Sequence, residues 1–192
     1  QRQMCIRDSD TGDNRTFLLD WLKLLVTSHG ETLDSEDINF KIGEAIEIET
    51  GNDLTIFANG TMVFQSLEAA KILAQKGISA SVVDMHTVKP IDEAAVRKAA
   101  DKNKLIVTVE EHNVIGGLSS SVSECLSSYK SYSSQLSIGI KDFFPKPGDY
   151  PFMLRQCGLT PEQIAQKMSE LLAIMMTCKW HSRCLRQRFR SV

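Results

Sequence analysis

No run of this 192-residue chain approaches the ~20 consecutive apolar residues needed to span a bilayer, and its first residues lack the basic, apolar, small-residue order of a secretory signal. No membrane partner is expected. Cysteine is sparse: five residues (Cys5, Cys125, Cys157, Cys178 and Cys184), odd in number and scattered, which argues against a disulfide framework and for a reducing, cytoplasmic setting. Positive charge is also short where a nucleic acid would need it. Of 22 basic residues, two lie in the first ten positions and five in the terminal "KWHSRCLRQRFRSV", while two of the 24 acidic residues lie in the first ten. The body therefore carries 15 basic against 22 acidic residues, and a nucleic-acid partner is not expected. Also missing are a Gly-x-Ser-x-Gly nucleophile elbow, a G-x-G-x-x-G dinucleotide turn and any internal repeat.

What is present alternates between two periods. "INFKIGEAIEIET" reads as a short strand, a turn at Gly43 and a second strand, and "DLTIFA" as a buried strand. "NGTMVFQSLEAAKILAQKG" reads as a helix with Thr61 as N-cap, Val63, Leu67, Ala70 and Ala74 on one face, and Gly77 as its left-handed stop. "ISASVVDMH" is the next strand. A helix follows from Asp92, where Ile91 and Val96 have the spacing of a hydrophobic staple. "KLIVTVEE" is a third strand, and the Gly116-Gly117 turn leads into a helix with Leu118, Val122 and Cys125 on one side. "QLSIGIKDFF" is a fourth, followed by a Pro/Gly loop through "PKPGDYP". Thr160, Pro161, Glu162 and Gln163 then form a capping box that opens a last helix, expected to run to about Ile174. Such alternation predicts a parallel α/β sheet with helices on both faces.

In an open α/β sheet, ligands gather at the carboxyl ends of the strands. The chemistry-bearing residues there are Asn59 and Gly60, then Asp84 and His86, then Glu110, Glu111, His112 and Asn113, with Gly116 and Gly117 in the following turn. Consecutive Glu110 and Glu111 point to opposite faces of a strand, which makes them a poor acid–base pair for one substrate. His86 and His112 lack a third ligand at a zinc spacing, and Cys178, His181 and Cys184 offer only three ligands in a suspect tail. No catalytic, cofactor-binding or metal-binding residue is assigned. The preferred reading of the strand-end residues is a pocket or subunit interface.

"FANGTMV", "SASVVDMHTVKPID", "IVTVEEHNVIGGL" and "LSIGIKDFF" resemble, in order and spacing, the C-terminal domain of the transketolase family, most of all the C-terminal subunit of split transketolases. The resemblance covers about residues 38–174. It implies a three-layer α/β/α sandwich with a five-stranded mixed, mostly parallel sheet, whose first strand, "AIEIET", runs antiparallel. It also implies a parent enzyme that uses thiamine diphosphate and magnesium to pass a two-carbon ketol unit between sugar phosphates. In that family a Gly-Asp-Gly motif and an activating glutamate sit in other domains. The Gly-Asp pairs of this chain, Gly12-Asp13 and Gly148-Asp149, do not continue into Gly. The resemblance thus makes the chain a scaffold and dimer-contact domain that is inactive and cofactor-free by itself, its partners being N-terminal cofactor-binding domains or a separate subunit, within a homodimeric parent.

Residues 1–10 are expected to be a non-native leader, 11–37 a linker or remnant of a preceding domain, 38–175 the domain itself, and 176–192 a basic tail, either genuine sequence or the product of a reading-frame error, with the error preferred. Two other readings stand beside the fragment: a free-standing α/β module binding a small molecule at the strand ends, and a pure subunit-interaction module.

Overall fold

The computed structural model describes residues 41–129 and 133–188, with side chains as far as position 175. The readings that fall on residues 1–40, and the Cys178, His181 and Cys184 side chains, lie outside these residues. Five strands form one sheet: β1 (Ile46–Glu49), β2 (Leu54–Ala58), β3 (Ala80–Asp84), β4 (Leu105–Asn113) and β5 (Ser134–Ile140), in the order β1-β3-β2-β4-β5. β1 is antiparallel to β3, and β2, β3, β4 and β5 are mutually parallel. The helices are α1 (Met62–Gln75), α2 (Glu93–Lys102), α3 (Leu118–Ser128), α4 (Tyr150–Cys157) and α5 (Pro161–Arg188).

The period-2 alternation of the strands divides the core in two. Leu54, Ile56 and Ala58 of β2 and Leu105, Val107 and Val109 of β4 face α1, α4 and α5, where Leu73, Leu154, Ile164 and Met168 cover them. Phe57 of β2 and Ile106 of β4 face α2 and α3, against Val96, Leu118, Val122 and Cys125. Helices thus cover both faces of a mixed, mostly parallel sheet, which is the three-layer sandwich expected. Central strands β2 and β3 are buried on both faces, which is why they read as continuous apolar runs rather than alternations.

Two close approaches fix the amino end of the central strands. Gly51 both donates to and accepts from the Ser81 hydroxyl, and a Cβ there would overlap the Ala80 backbone. Buried Asn103 accepts from Thr55 Oγ1 at 2.7 Å and donates to the Asn52 carbonyl at 2.8 Å, tying the end of α2 to the start of β2.

Four local expectations differ from the structure. Thr61 precedes α1 but makes no side-chain cap; its hydroxyl bonds across the sheet end instead. The buried face of α1 is Met62, Val63, Ser66, Ala69, Ala70 and Leu73, so Ala74 is exposed. The helix lies between two packing neighbours, β3 and α5, and its face is set by both. α4 was expected to be loop; it is capped by Asp149, whose carboxylate accepts from the Phe152 N–H, and stopped by Gly158 at φ 71°. The last helix continues to Arg188 rather than ending near Ile174. Its capping box is present, with the Thr160 hydroxyl accepting from Gln163 N–H and the Gln163 side chain accepting from Thr160 N–H, both at 3.4 Å.

Thr160→Ala removes the first of these bonds from a helix that carries Ile164 and Met168 into the core. We expect a loss of about 1 kcal/mol, measured by urea denaturation with an unchanged slope.

Candidate functional site

The sheet order places the reversal of topology between β2 and β4. The chain leaves β2 through α1 toward β3 on one side, and leaves β4 through α3 toward β5 on the other. The carboxyl ends of β2 and β4 therefore flank the crevice in which folds of this kind hold ligands. Asn59, Gly60 and Thr61 come from one strand end, and Glu110, Glu111, His112 and Asn113 from the other.

Glu110 is buried, 1 % exposed, and its two oxygens accept the N–H groups of Leu118 at 2.7 Å and Ser119 at 2.9 Å. It supplies from a neighbouring strand the cap that Gly117, at the start of α3, cannot supply itself. Gly117 is required there, because a Cβ would overlap the Glu110 carboxylate. Burial raises the Glu110 pKa, and the bonds from Ser119 and Leu118 and the nearby His112 oppose that rise. Gly116 adopts φ 81°, which allows the tight turn that brings α3 back to the carboxylate.

Glu111 points the other way. Its Oε2 accepts the Thr61 hydroxyl at 2.6 Å and the Tyr150 hydroxyl at 2.9 Å, joining β4, the start of α1 and the start of α4 across the crevice. Burial is the main cause of a raised Tyr150 pKa. Tyr150 was absent from the expected site because α4 was read as loop; the signal that could have found it is Asp149 as a cap with Pro151 in the first turn.

The remaining residues do structural work. His112 is exposed, and its Nδ1 donates to the Asn113 carbonyl at 2.9 Å, while Asn113 Oδ1 accepts from Ile115 N–H at 2.8 Å in a turn. Gly60 has φ 56°, and the Asn59 and Gly60 carbonyls receive the first N–H groups of α1. His86 and His112 are not brought together, because β2 separates their strands, a spacing of about 10 Å. Instead His86 lies beside buried Asp84, Nδ1 to Oδ2 3.9 Å, and burial pushes Asp84 up to about 6 against the pull of His86. A shallow depression lined by Gln65, Leu154, Arg155 and Thr160 includes none of the strand-end groups. Among the described residues, no three His, Cys, Asp or Glu side chains are grouped to hold a metal ion.

The fold and its strand ends define a class: a three-layer α/β domain with a five-stranded mixed sheet whose switch point is bridged by its own hydrogen bonds. Residues 43–164 match the family model described as "Transketolase, C-terminal domain". The chain belongs to the transketolase family, as its C-terminal domain. It is 41 % identical over 137 residues to a "Putative transketolase C-terminal section" of Methanocaldococcus jannaschii, covering 71 % of this chain and 42 % of that protein. It is 40 % identical over 139 residues to a 6-deoxy-6-sulfo-D-fructose transketolase subunit of Clostridium sp., covering 72 % of this chain and 43 % of that one. Among solved structures, a "Split gene transketolase, inactive beta4 tetramer" superposes with a TM-score of 0.65 at 38 % identity, covering 71 % of this chain and 44 % of the other. The chain thus spans less than half the length of the relatives it matches.

Glu110→Ala leaves two buried N–H groups without a partner, and we expect a loss of about 2–4 kcal/mol. Tyr150→Phe removes one bond at a half-exposed position and should cost under about 1 kcal/mol. Thermal unfolding of the two variants side by side checks this order; an equal or reversed pair of losses would contradict the roles assigned to the two glutamates.

Proposed function

We propose that this domain is the structural and assembly part of a thiamine-diphosphate-dependent enzyme that transfers a two-carbon ketol unit between sugar phosphates. The observation that carries this reading is the identity of 41 % and 40 % to two proteins named as a section and a subunit of transketolases. Those names describe pieces that work with other pieces, and the chemistry of the strand ends here supports the same division.

Thiamine diphosphate needs a divalent cation to neutralise its diphosphate, and so a convergent set of oxygen ligands. The carboxylates at the switch point do not fit that role. Glu110 is committed to the N–H groups of α3, and Glu111 to two hydroxyls. Asp84 is buried and sits with His86 at the end of β3. The cofactor and its magnesium are therefore assigned to the N-terminal domains or subunit, and no chemical step is assigned to this chain. Its part is to fold α1, α3 and α4 into one rigid strand-end surface, available for contacts with the cofactor-binding partner and with a second copy of the assembly.

The test is a chimera in which residues 38–175 replace the matched segment of the Methanocaldococcus jannaschii section, assayed with a cofactor-binding partner supplied in trans. Ketol transfer from xylulose 5-phosphate to an aldose phosphate is expected. A folded chimera that associates with the partner but transfers nothing would contradict the proposal, as would saturable sugar-phosphate binding by the isolated domain in calorimetry.

A second expectation concerns His112. Removal of a proton-transfer group typically costs ~10²–10⁴ in rate. An exposed histidine bonded to its neighbour's carbonyl should cost less than about tenfold in turnover when changed to Ala in the complete enzyme. Steady-state kinetics, with assembly followed by analytical ultracentrifugation, separates the two outcomes.

A further inference from the structure

Exposed apolar side chains gather at one place on this domain. Of the eight large hydrophobic side chains exposed among the described residues, five lie within eleven positions, Phe143, Phe144, Tyr150, Phe152 and Met153. They span the loop after β5 and the first turn of α4, and Phe144 is fully exposed. A sixth, Ile115, stands in the turn after β4, where the N–H of its neighbour Val114 donates to the carbonyl of Ile140, the last residue of β5. All six therefore belong to the carboxyl ends of β4 and β5. Scattered exposed apolar residues are ordinary on a protein surface, whereas a concentration of aromatics and methionine has the composition of an interface core.

The loop is anchored at several points. Gln156 of α4 grips Lys146 by both backbone groups, accepting its N–H at 3.2 Å and donating to its carbonyl at 2.9 Å. Asp149 accepts the Phe152 N–H at the start of α4, and the Tyr150 hydroxyl is tied to Glu111. The Gly148 backbone runs so close to the Phe152 ring that a Cβ there would overlap it. A covering surface would thus meet these side chains already placed, with little ordering left to pay for.

The occupant follows from where the domain joins the rest of its relatives. β1 runs antiparallel to β3 and pairs Ile46 with Asp84, so the residues just before β1 lie at the carboxyl end of β3. There Thr87 Oγ1 accepts the Gly43 N–H at 2.9 Å. The match to a C-terminal domain begins at that same Gly43, and more than half of each relative named above lies outside the match. What precedes the domain in those proteins therefore joins it on the strand-end side. Three strand spacings separate β3 from β5, about 14 Å. A folded domain of ~150 residues has a radius of gyration of about 15 Å, so one joined beside β3 spans that gap.

We propose that the surface of Phe143, Phe144, Phe152, Met153 and Ile115 is the seat of the domain that precedes this one in the parent protein, which brings an apolar patch to it. The inference rests on the assembly role proposed above and narrows it, giving the β5–α4 corner of the strand-end surface to one neighbour. Exposed Lys141, Asp142 and Lys146 carry both signs of charge and supply the polar rim of such a contact.

Thiol accessibility tests this. Phe144→Cys places a thiol on the surface, and Lys76→Cys, exposed at the opposite end of α1, is the control. Each is made in this chain and in the chimera described above, and maleimide modification of that thiol is followed by peptide mass spectrometry. In the chimera without added partner, modification of Phe144→Cys should be slower than in this chain by about tenfold or more. Dilution should leave that difference unchanged, and Lys76→Cys should react equally in both. Equal rates at Phe144→Cys overturn the proposal. So does protection already present in this chain, lost on dilution of the chimera, or gained only with the cofactor-binding partner or with phosphatidylserine vesicles, since each names another occupant. The functional reading fails separately. A chimera that transfers ketol units with Phe144→Cys fully reactive sinks the seat alone, and an inactive chimera with Phe144→Cys protected sinks the transfer alone. Should the chimera not fold, the preceding part of the Methanocaldococcus jannaschii section is added to this chain as a separate protein, and unchanged modification of Phe144→Cys then overturns the proposal.

Discussion

One peptide unit separates Glu110 from Glu111, and on an extended strand that unit sends their side chains to opposite faces. Much of the strand-end architecture depends on this. Glu110 reaches the α2–α3 face and fixes where α3 begins; Glu111 reaches the α1 face and joins α1 to α4. Neither bond set could form if β4 slipped by one residue, because the same slip would exchange Val107 and Val109 with Ile106 and Thr108 between the two cores. The register of β4 is thus fixed twice over, by apolar burial along its length and by two carboxylates at its end.

The accommodations around that strand end are made by missing side chains. Gly117 leaves room for the Glu110 carboxylate. Gly139 of β5 leaves room for Val114 and the His112 carbonyl, which a Cβ would approach to 2.8 and 3.0 Å. Gly139 lies where β4 and β5 lose regular register, opposite the stretch between Val109 and Asn113, and Gly117 follows at the start of α3. The irregularity lets a nine-residue strand overrun its neighbour and still turn into a helix.

The elements legible in the sequence are those whose signals are local. The capping box at Thr160, the staple of Ile91 and Val96, the stop at Gly77 and the apolar side of α3 need only neighbours in the chain to be read. The opposed directions of Glu110 and Glu111 are legible for the same reason. Other features depend on tertiary neighbours. Thr61 has the composition of a cap, but Glu111, fifty residues away, takes its hydroxyl. The face of α1 is set jointly by β3 and α5, so a single-stripe reading carries Ala74 inward when it lies outside. α4 is short and begins Tyr-Pro after a Pro/Gly stretch, where turn chemistry and helix-start chemistry use the same residues. Losing α4 lost Tyr150, and with it the third member of the strand-end bonding. The antiparallel direction of β1 came from family resemblance, since four residues of alternating "IEIE" carry no direction of their own.

The bond between Thr61 and Glu111 also has an electrostatic consequence. The start of a fourteen-residue helix carries partial positive charge, and at a switch point this is the usual seat of a phosphate. Here the Glu111 carboxylate stands beside that start, bonded to the Thr61 and Tyr150 hydroxyls, while the first N–H groups of the helix go to the Asn59 and Gly60 carbonyls. An incoming anion would meet a like charge already tethered there. The place where such a fold is otherwise most receptive to an anion is therefore one where this chain already holds negative charge of its own.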